Sequence, residues 1–146
     1  MAILQGTCHC GRIEVEFETS VSTAQLQVRA CMCSFCRRHG AKNATDPDGG
    51  LTISFPTGGI DRYRFGHRTA DFLICRGCGV YVAAIMEEGG RQRGTLNVVG
   101  TRIEGLWERV AEPFTFDHED PDARRARRRA RWMPAKIVEH DRASSN

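Results

Sequence analysis

Seven cysteines fall in three short motifs: Cys8-His9-Cys10, Cys31-Met32-Cys33-Ser34-Phe35-Cys36 and Cys75-Arg76-Gly77-Cys78. An odd set of closely spaced thiols cannot pair off as disulfides, and a tight turn with two cysteines presents both sulfurs to one metal ion. One four-thiolate site and one three-thiolate site use every cysteine. Pairs from distant parts of the chain can complete a closed, structural tetrahedron, and Cys8, Cys10, Cys75 and Cys78 are the expected set. Gly6 and Gly11 flank the first pair, and Gly77 and Gly79 accompany the last, where such knuckles need a permissive backbone. Cys31, Cys33 and Cys36 then form a second site whose fourth position is left for water, substrate or another side chain.

Other readings of the same spacing stay open. His39, three residues past Cys36, can close the second site and make both structural; it can also be a proton acceptor or a surface residue. The two Cys-x-x-Cys pairs are spaced like redox motifs, although the βαβ context of a thioredoxin-like site is missing. Thiolates also suit iron–sulfur clusters, which rank below zinc here. Two Zn2+ ions per chain, one structural and one functional, are the expected cofactors.

The 146 residues, 40% of them hydrophobic, suffice for one domain with a real core. The longest apolar stretch, Val80 to Met86, is far shorter than the roughly twenty residues of a membrane span. Met1 to Gly11 has neither the basic start nor the apolar centre of a signal peptide, so a cytoplasmic location and no membrane partner are expected. Net charge is +3, yet it is uneven, because the run Arg124 to Arg131 places most of the positive charge near the end. The chain divides into a zinc-binding β domain over residues 1–120 and a basic C-terminal helix and tail over 121–146.

Alternation with a period of two predicts strands around Ile13-Val15-Phe17, Leu26-Val28 and Leu51-Ile53-Phe55. Ile60 to Phe65, Phe72 to Ile74, Val80 to Ile85 and Thr95 to Val99 are further strands between glycine-bearing turns. The fold class is mainly β and mostly antiparallel. Asp120 and Pro121 can start a helix that places Ala123, Ala126, Ala130 and Met133 on its packed face and arginines on the solvated one, with Pro134 as its stop. Ala143 to Asn146 are expected to fray.

The order of motifs resembles one family. Gly6-Thr7-Cys8-His9-Cys10-Gly11, Cys31-x-Cys33-x-x-Cys36-Arg37 with Gly40, Arg62-Tyr63-Arg64-Phe65-Gly66, Cys75-x-x-Cys78-Gly79 and Leu96-Asn97-Val98 are similar to the successive motifs of the glutathione-dependent formaldehyde-activating family, which includes centromere protein V. The likeness spans roughly residues 3–108. It implies stacked antiparallel sheets, a β-tent, here with a short C-terminal helix. It also implies that Cys8, Cys10, Cys75 and Cys78 hold a structural zinc, and that Cys31, Cys33 and Cys36 hold the functional one.

The implied activity is that of a carbon–sulfur lyase, S-(hydroxymethyl)glutathione synthase-like, in which a small thiol such as glutathione is the partner and formaldehyde the electrophile; glutathione carriage is the other role proposed for the family. Arg37, Arg38 and Lys42 can meet a carboxylate of the thiol or be ordinary surface charges. A non-catalytic zinc module with a basic tail for an acidic partner is the alternative. Nucleic acid is not the expected partner, because the body is acidic and residues 124–131 carry no interleaved aromatics.

Overall fold

A computed structural model describes residues 1–141. The fraying expected at Ala143–Asn146 lies outside the described residues. In chain order the elements are β1 (Ala2–Thr7), β2 (Glu14–Thr19), β3 (Arg29–Cys31), α1 (Ser34–His39), β4 (Asn43–Ala44) and β5 (Gly50–Pro56). There follow β6 (Ile60–Tyr63), β7 (Asp71–Cys75), β8 (Tyr81–Glu88), β9 (Arg91–Asn97), β10 (Glu112–Phe114), α2 (Pro121–Arg131) and β11 (Met133–His140). The protein is mainly β. Most pairings are antiparallel, and two are parallel: β11 beside β5 and β10 beside β3.

Strands β2 and β5 follow their sequence alternation. Val15, Phe17 and Thr19 are buried between exposed glutamates, and Leu51, Ile53 and Phe55 are buried on β5. Their antiparallel register sets Val15 opposite Ile53 and Phe17 opposite Leu51, so one face of β1-β2-β5-β11 is a continuous apolar surface. That surface packs in one core with Leu73, Val82, Ile85 and Leu96 of the second layer, β6 to β9. Strand β11 joins the layers, since Met133 and Pro134 pair with β9 and Ala135 to His140 pair with β5.

Strand β8 reads as a continuous apolar run because both of its faces are covered. Val82, Ala83 and Ile85 face the main core. Tyr81, Ala84 and Met86 belong to a second cluster with Cys36, Phe72 and Trp132. This second cluster positions the site described below.

Three expectations are corrected, and one element carries no sequence signal. Leu26 and Val28 are buried but do not form a strand; Gln25 and Leu26 donate to the Ser22 carbonyl in a turn, and the Thr23 and Leu26 carbonyls accept from the Arg109 guanidinium instead of from a neighbouring strand. The segment around Cys33 and Cys36 is a helical turn, too short for any periodic signal. The segment after α2 is no tail, because β11 sits inside the sheet. The helix itself starts where expected, with Asp120 accepting from the Ala123 amide, but it is turned over: Ala123, Ala126 and Ala130 are exposed, whereas Arg128 is buried. No helix among the described residues is long and apolar enough to cross a membrane.

The orientation of α2 has a direct test. Met133 is fully buried, so Met133→Ala should lower the unfolding free energy in a urea titration by about 2–5 kcal/mol. Ala130→Ser should change it by no more than about 0.5 kcal/mol. Comparable losses would put the alanine stripe back in the core.

Candidate metal centres and the cavity beside the second

The seven thiols gather into two groups. Cys8, Cys10, Cys75 and Cys78 form one, Cys31, Cys33 and Cys36 the other, and within each group the sulfurs lie within 4.8 Å of one another. In the first, Cys10 Sγ is 3.7 Å from Cys8 Sγ and 3.6 Å from Cys75 Sγ. Sulfurs about 2.3 Å from one tetrahedral ion sit about 3.8 Å apart, so this donor set fits a metal.

Two turns built alike bring these four thiols together. Cys8 directly follows β1 and Cys75 ends β7, and each begins a knuckle. The Cys8 amide donates to the Ile13 carbonyl and its carbonyl accepts from Gly11; the Cys75 amide donates to the Val80 carbonyl and its carbonyl accepts from Gly79. Gly11 and Gly79 have φ of 84° and 80°, a left-handed backbone that favours glycine. A Cβ at Gly77 would meet the mobile end of Arg12 at 2.9 Å and touch Cys10 Sγ at 3.4 Å, so this turn lies close against the first knuckle. Burial pushes the Cys8 thiol up and the Cys75 thiol to about 12. Burial also opposes ionisation of Cys78, but the amides of Val80 and Cys10 and the sulfurs of Cys75 and Cys8 bring it down to about 6. A doubly charged ion removes this conflict by letting all four ionise together.

The second group is built on α1. Cys31 ends β3, Cys33 is the N-cap of α1 and accepts at Sγ from the Cys36 amide at 3.3 Å, and Cys36 sits buried in the helix. Gly40 closes the helix at φ 59°. Hydrogen bonds from the Cys31 and Cys36 thiols pull the Cys33 thiol down to about 2, and those same contacts push its two partners up. Three thiols this close, each opposing ionisation of the next, are again a set that a cation would complete. Among the described residues no histidine or carboxylate joins them. His39 instead packs against Phe35 with the rings tilted and their centroids 4.5 Å apart. Phe35 in turn packs against Phe65, Phe72 and Tyr81 at 5.0 to 5.2 Å, which fixes α1 on β7 and β8.

The three sulfurs border a cavity of about 460 Å³ between the second core cluster and α2. Its walls include Phe65, Phe72, Tyr81 and Ala84, together with Asn43 and Thr95. None of the other four cysteines lines it. Tyr81 is 1% exposed, and burial, reinforced by the nearby thiols of Cys36, Cys31 and Cys33, keeps its hydroxyl protonated far above the usual phenol range.

Among the basic residues considered near the second motif, only Arg37 borders the cavity. Arg38 points to solvent, and Lys42 clamps the Trp107 and Arg109 carbonyls at 3.2 and 2.6 Å. The run first read as a solvated helix face adds Arg124, Arg127 and Arg128 to the cavity wall, beside Arg29 and Arg37. Their i, i+3, i+4 spacing and the acid Glu119 one turn earlier were visible signals of a shared inward face. On the outer face, Arg125 and Arg129 pair with Asp122 and Glu88.

The two groups should separate on mutation. Cys75→Ser should yield unfolded or insoluble protein, since structural thiolate sites contribute on the order of 10 kcal/mol in small metal modules. Cys33→Ser should keep the wild-type circular dichroism and lose one equivalent of bound metal, because α1 rests on a body already tied elsewhere. A Cys75→Ser variant that melts like wild type would contradict this division.

No protein-family model and no curated protein sequence matches the chain. A crystal structure of a Rhodobacter sphaeroides protein, determined as a Northeast Structural Genomics target, is similar to it with 35% sequence identity and a TM-score of 0.58; the match covers 75% of this chain and 99% of that one. On that identity and coverage, this chain belongs to the same family as the Rhodobacter sphaeroides protein.

Proposed function

We propose that this is a zinc protein of the cytoplasm that takes a small thiol, such as glutathione, into the cavity beside Cys31, Cys33 and Cys36 and adds it to formaldehyde or a related electrophile. The observation that carries the reading is the asymmetry of the two thiol groups: four sulfurs complete one another, while three border a cavity of about 460 Å³. The motif order that resembles the glutathione-dependent formaldehyde-activating family supports the choice of thiol and electrophile. Unpaired thiols that serve as ligands also need a reducing compartment.

Cys8, Cys10, Cys75 and Cys78 would hold one zinc and Cys31, Cys33 and Cys36 the other, and bound zinc would supply the positive charge that favours the ionised form of a thiol brought beside it. Phe65, Phe72 and Ala84 line the cavity with apolar surface, which limits water around the reacting groups. In the addition, a carbon–sulfur bond forms, the carbonyl π pair moves to oxygen, and that oxygen takes up the proton the thiol gave away. Tyr81 lines the cavity with a hydroxyl that stays protonated, and it would donate a hydrogen bond to this oxygen as charge develops on it. Orientation of the two reactants in one enclosure supplies much of the rest.

Exchange NMR tests the reaction. Glutathione and formaldehyde also combine uncatalysed, so metal-loaded protein should speed the approach to equilibrium in proportion to its concentration. Cys33→Ser should abolish that effect, and Tyr81→Phe should reduce it by about a hundred-fold while thiol affinity is kept. Thiol affinity itself should rise with pH until the free thiol ionises. Binding without acceleration would make the protein a carrier, and absence of thiol binding would end the reading.

A further inference from the structure

Arg128 is a buried charge without a carboxylate partner among the described residues. It is 7% exposed, lies on the cavity wall, and its guanidinium sits 4.6 Å above the Trp132 ring. Nη1 donates to Thr69 Oγ1 at 2.7 Å, but Nε is buried with no acceptor. The neighbouring acid is already committed: Glu119 receives Arg127 through two hydrogen bonds, at 2.7 and 3.1 Å, and Arg124 at 3.2 Å. Among the described residues no carboxylate lies within ion-pair distance of Arg128. A methionine or leucine could fill the same space over Trp132 without the cost of burying a guanidinium. A second orphan, the buried acceptor Asn43 Oδ1, lines the same cavity.

We propose that Arg128 receives an acidic group, a carboxylate or phosphate, carried by the thiol that enters the cavity, while Arg124 and Arg127, held by Glu119, keep the surrounding potential positive. Asn43 Oδ1 suits an N–H or O–H donor on the same ligand. Burial, with the charges of Arg127 and Arg124, lowers the Arg128 pKa to about 10, as expected of a guanidinium awaiting an anion. The substrate class narrows to acid-bearing thiols, and small neutral thiols become poor ligands. The inference rests on the proposed thiol site for where the sulfur lies, but the anion contact stands on Arg128 alone.

Calorimetry on the metal-loaded full chain tests it with glutathione, its diethyl ester, 2-mercaptoethanol and inorganic phosphate. Glutathione should bind about ten-fold or more tightly than the ester, which keeps the skeleton and loses the carboxylates. Arg128→Met should remove that preference and leave the ester's affinity unchanged, whereas Arg129→Met, on the outer face, should alter neither. Equal binding of glutathione and ester by wild type, or a preference that survives Arg128→Met, overturns the anion site; thiol binding of that kind leaves the thiol reading intact. Phosphate that binds wild type but not Arg128→Met, with no thiol bound, supports an anion site at Arg128 serving free phosphate and overturns the thiol reading. No binding by any of the four overturns both. Should Arg128→Met fail to fold by circular dichroism, the comparison of glutathione with its ester on wild type decides alone.

Discussion

Four sulfurs from two distant stretches of the chain gather within 4.8 Å of one another, a set that could hold a metal ion. Cys8 and Cys10 follow β1, Cys75 is the last residue of β7 and Cys78 lies just beyond it, so a cation among them would tie the first hairpin of one layer to the hairpin of the other across 65 residues of chain. Such a link removes conformational freedom from the unfolded chain, and it also resolves an electrostatic conflict, because thiols this close resist ionising together unless a positive charge joins them. The turns on either side are built for it: backbone amides point at the sulfurs, and glycines occupy the left-handed positions.

With that end fixed, β8 can carry apolar residues on both faces and divide the interior in two. The main core holds the layers together; the smaller one supports α1, Trp132 and the cavity. The second thiol group is part of this smaller cluster, with Cys36 buried in it and Cys31 and Cys33 packed against it. Helix α2 closes the cavity from the other side. It turns its arginines inward, against Glu119, Phe116, Thr69 and Trp132, because these offer paired charge, a ring face at 3.6 Å from Arg127, a hydroxyl and a second ring, while the small alanines lose little by facing water.

Spacing made the thiols and much of the sheet legible. Two cysteines on a short turn have few alternatives, and strands such as Glu14–Thr19 and Gly50–Pro56 alternate cleanly because one face is dry and the other wet. Less could be read where long-range partners decide the outcome. Leu26 and Val28 alternate like a strand, yet the Arg109 guanidinium, 83 residues away from Leu26, takes the Leu26 carbonyl, and only the Val28 carbonyl accepts from a strand, at the Glu112 amide. Strand β11 follows an arginine-rich helix and contains Pro134, so nothing local announces that it fills the gap between β5 and β9. The cavity was hidden for a related reason: an arginine run is a solvated face unless a buried acid and aromatic rings wait opposite it, and those come from other segments.

The central claim is that one thiol group is complete in itself and the other has room for an external sulfur. X-ray absorption at the metal edge, recorded on the two-metal protein before and after saturation with glutathione, measures this directly. The account predicts an average of about 3.5 sulfurs per metal at about 2.3 Å, with a lighter donor making up the remainder, rising to about 4 when the thiol is added. An average of about 4 that the thiol leaves unchanged would contradict it, as would an average of about 3.5 that does not respond to thiol at all.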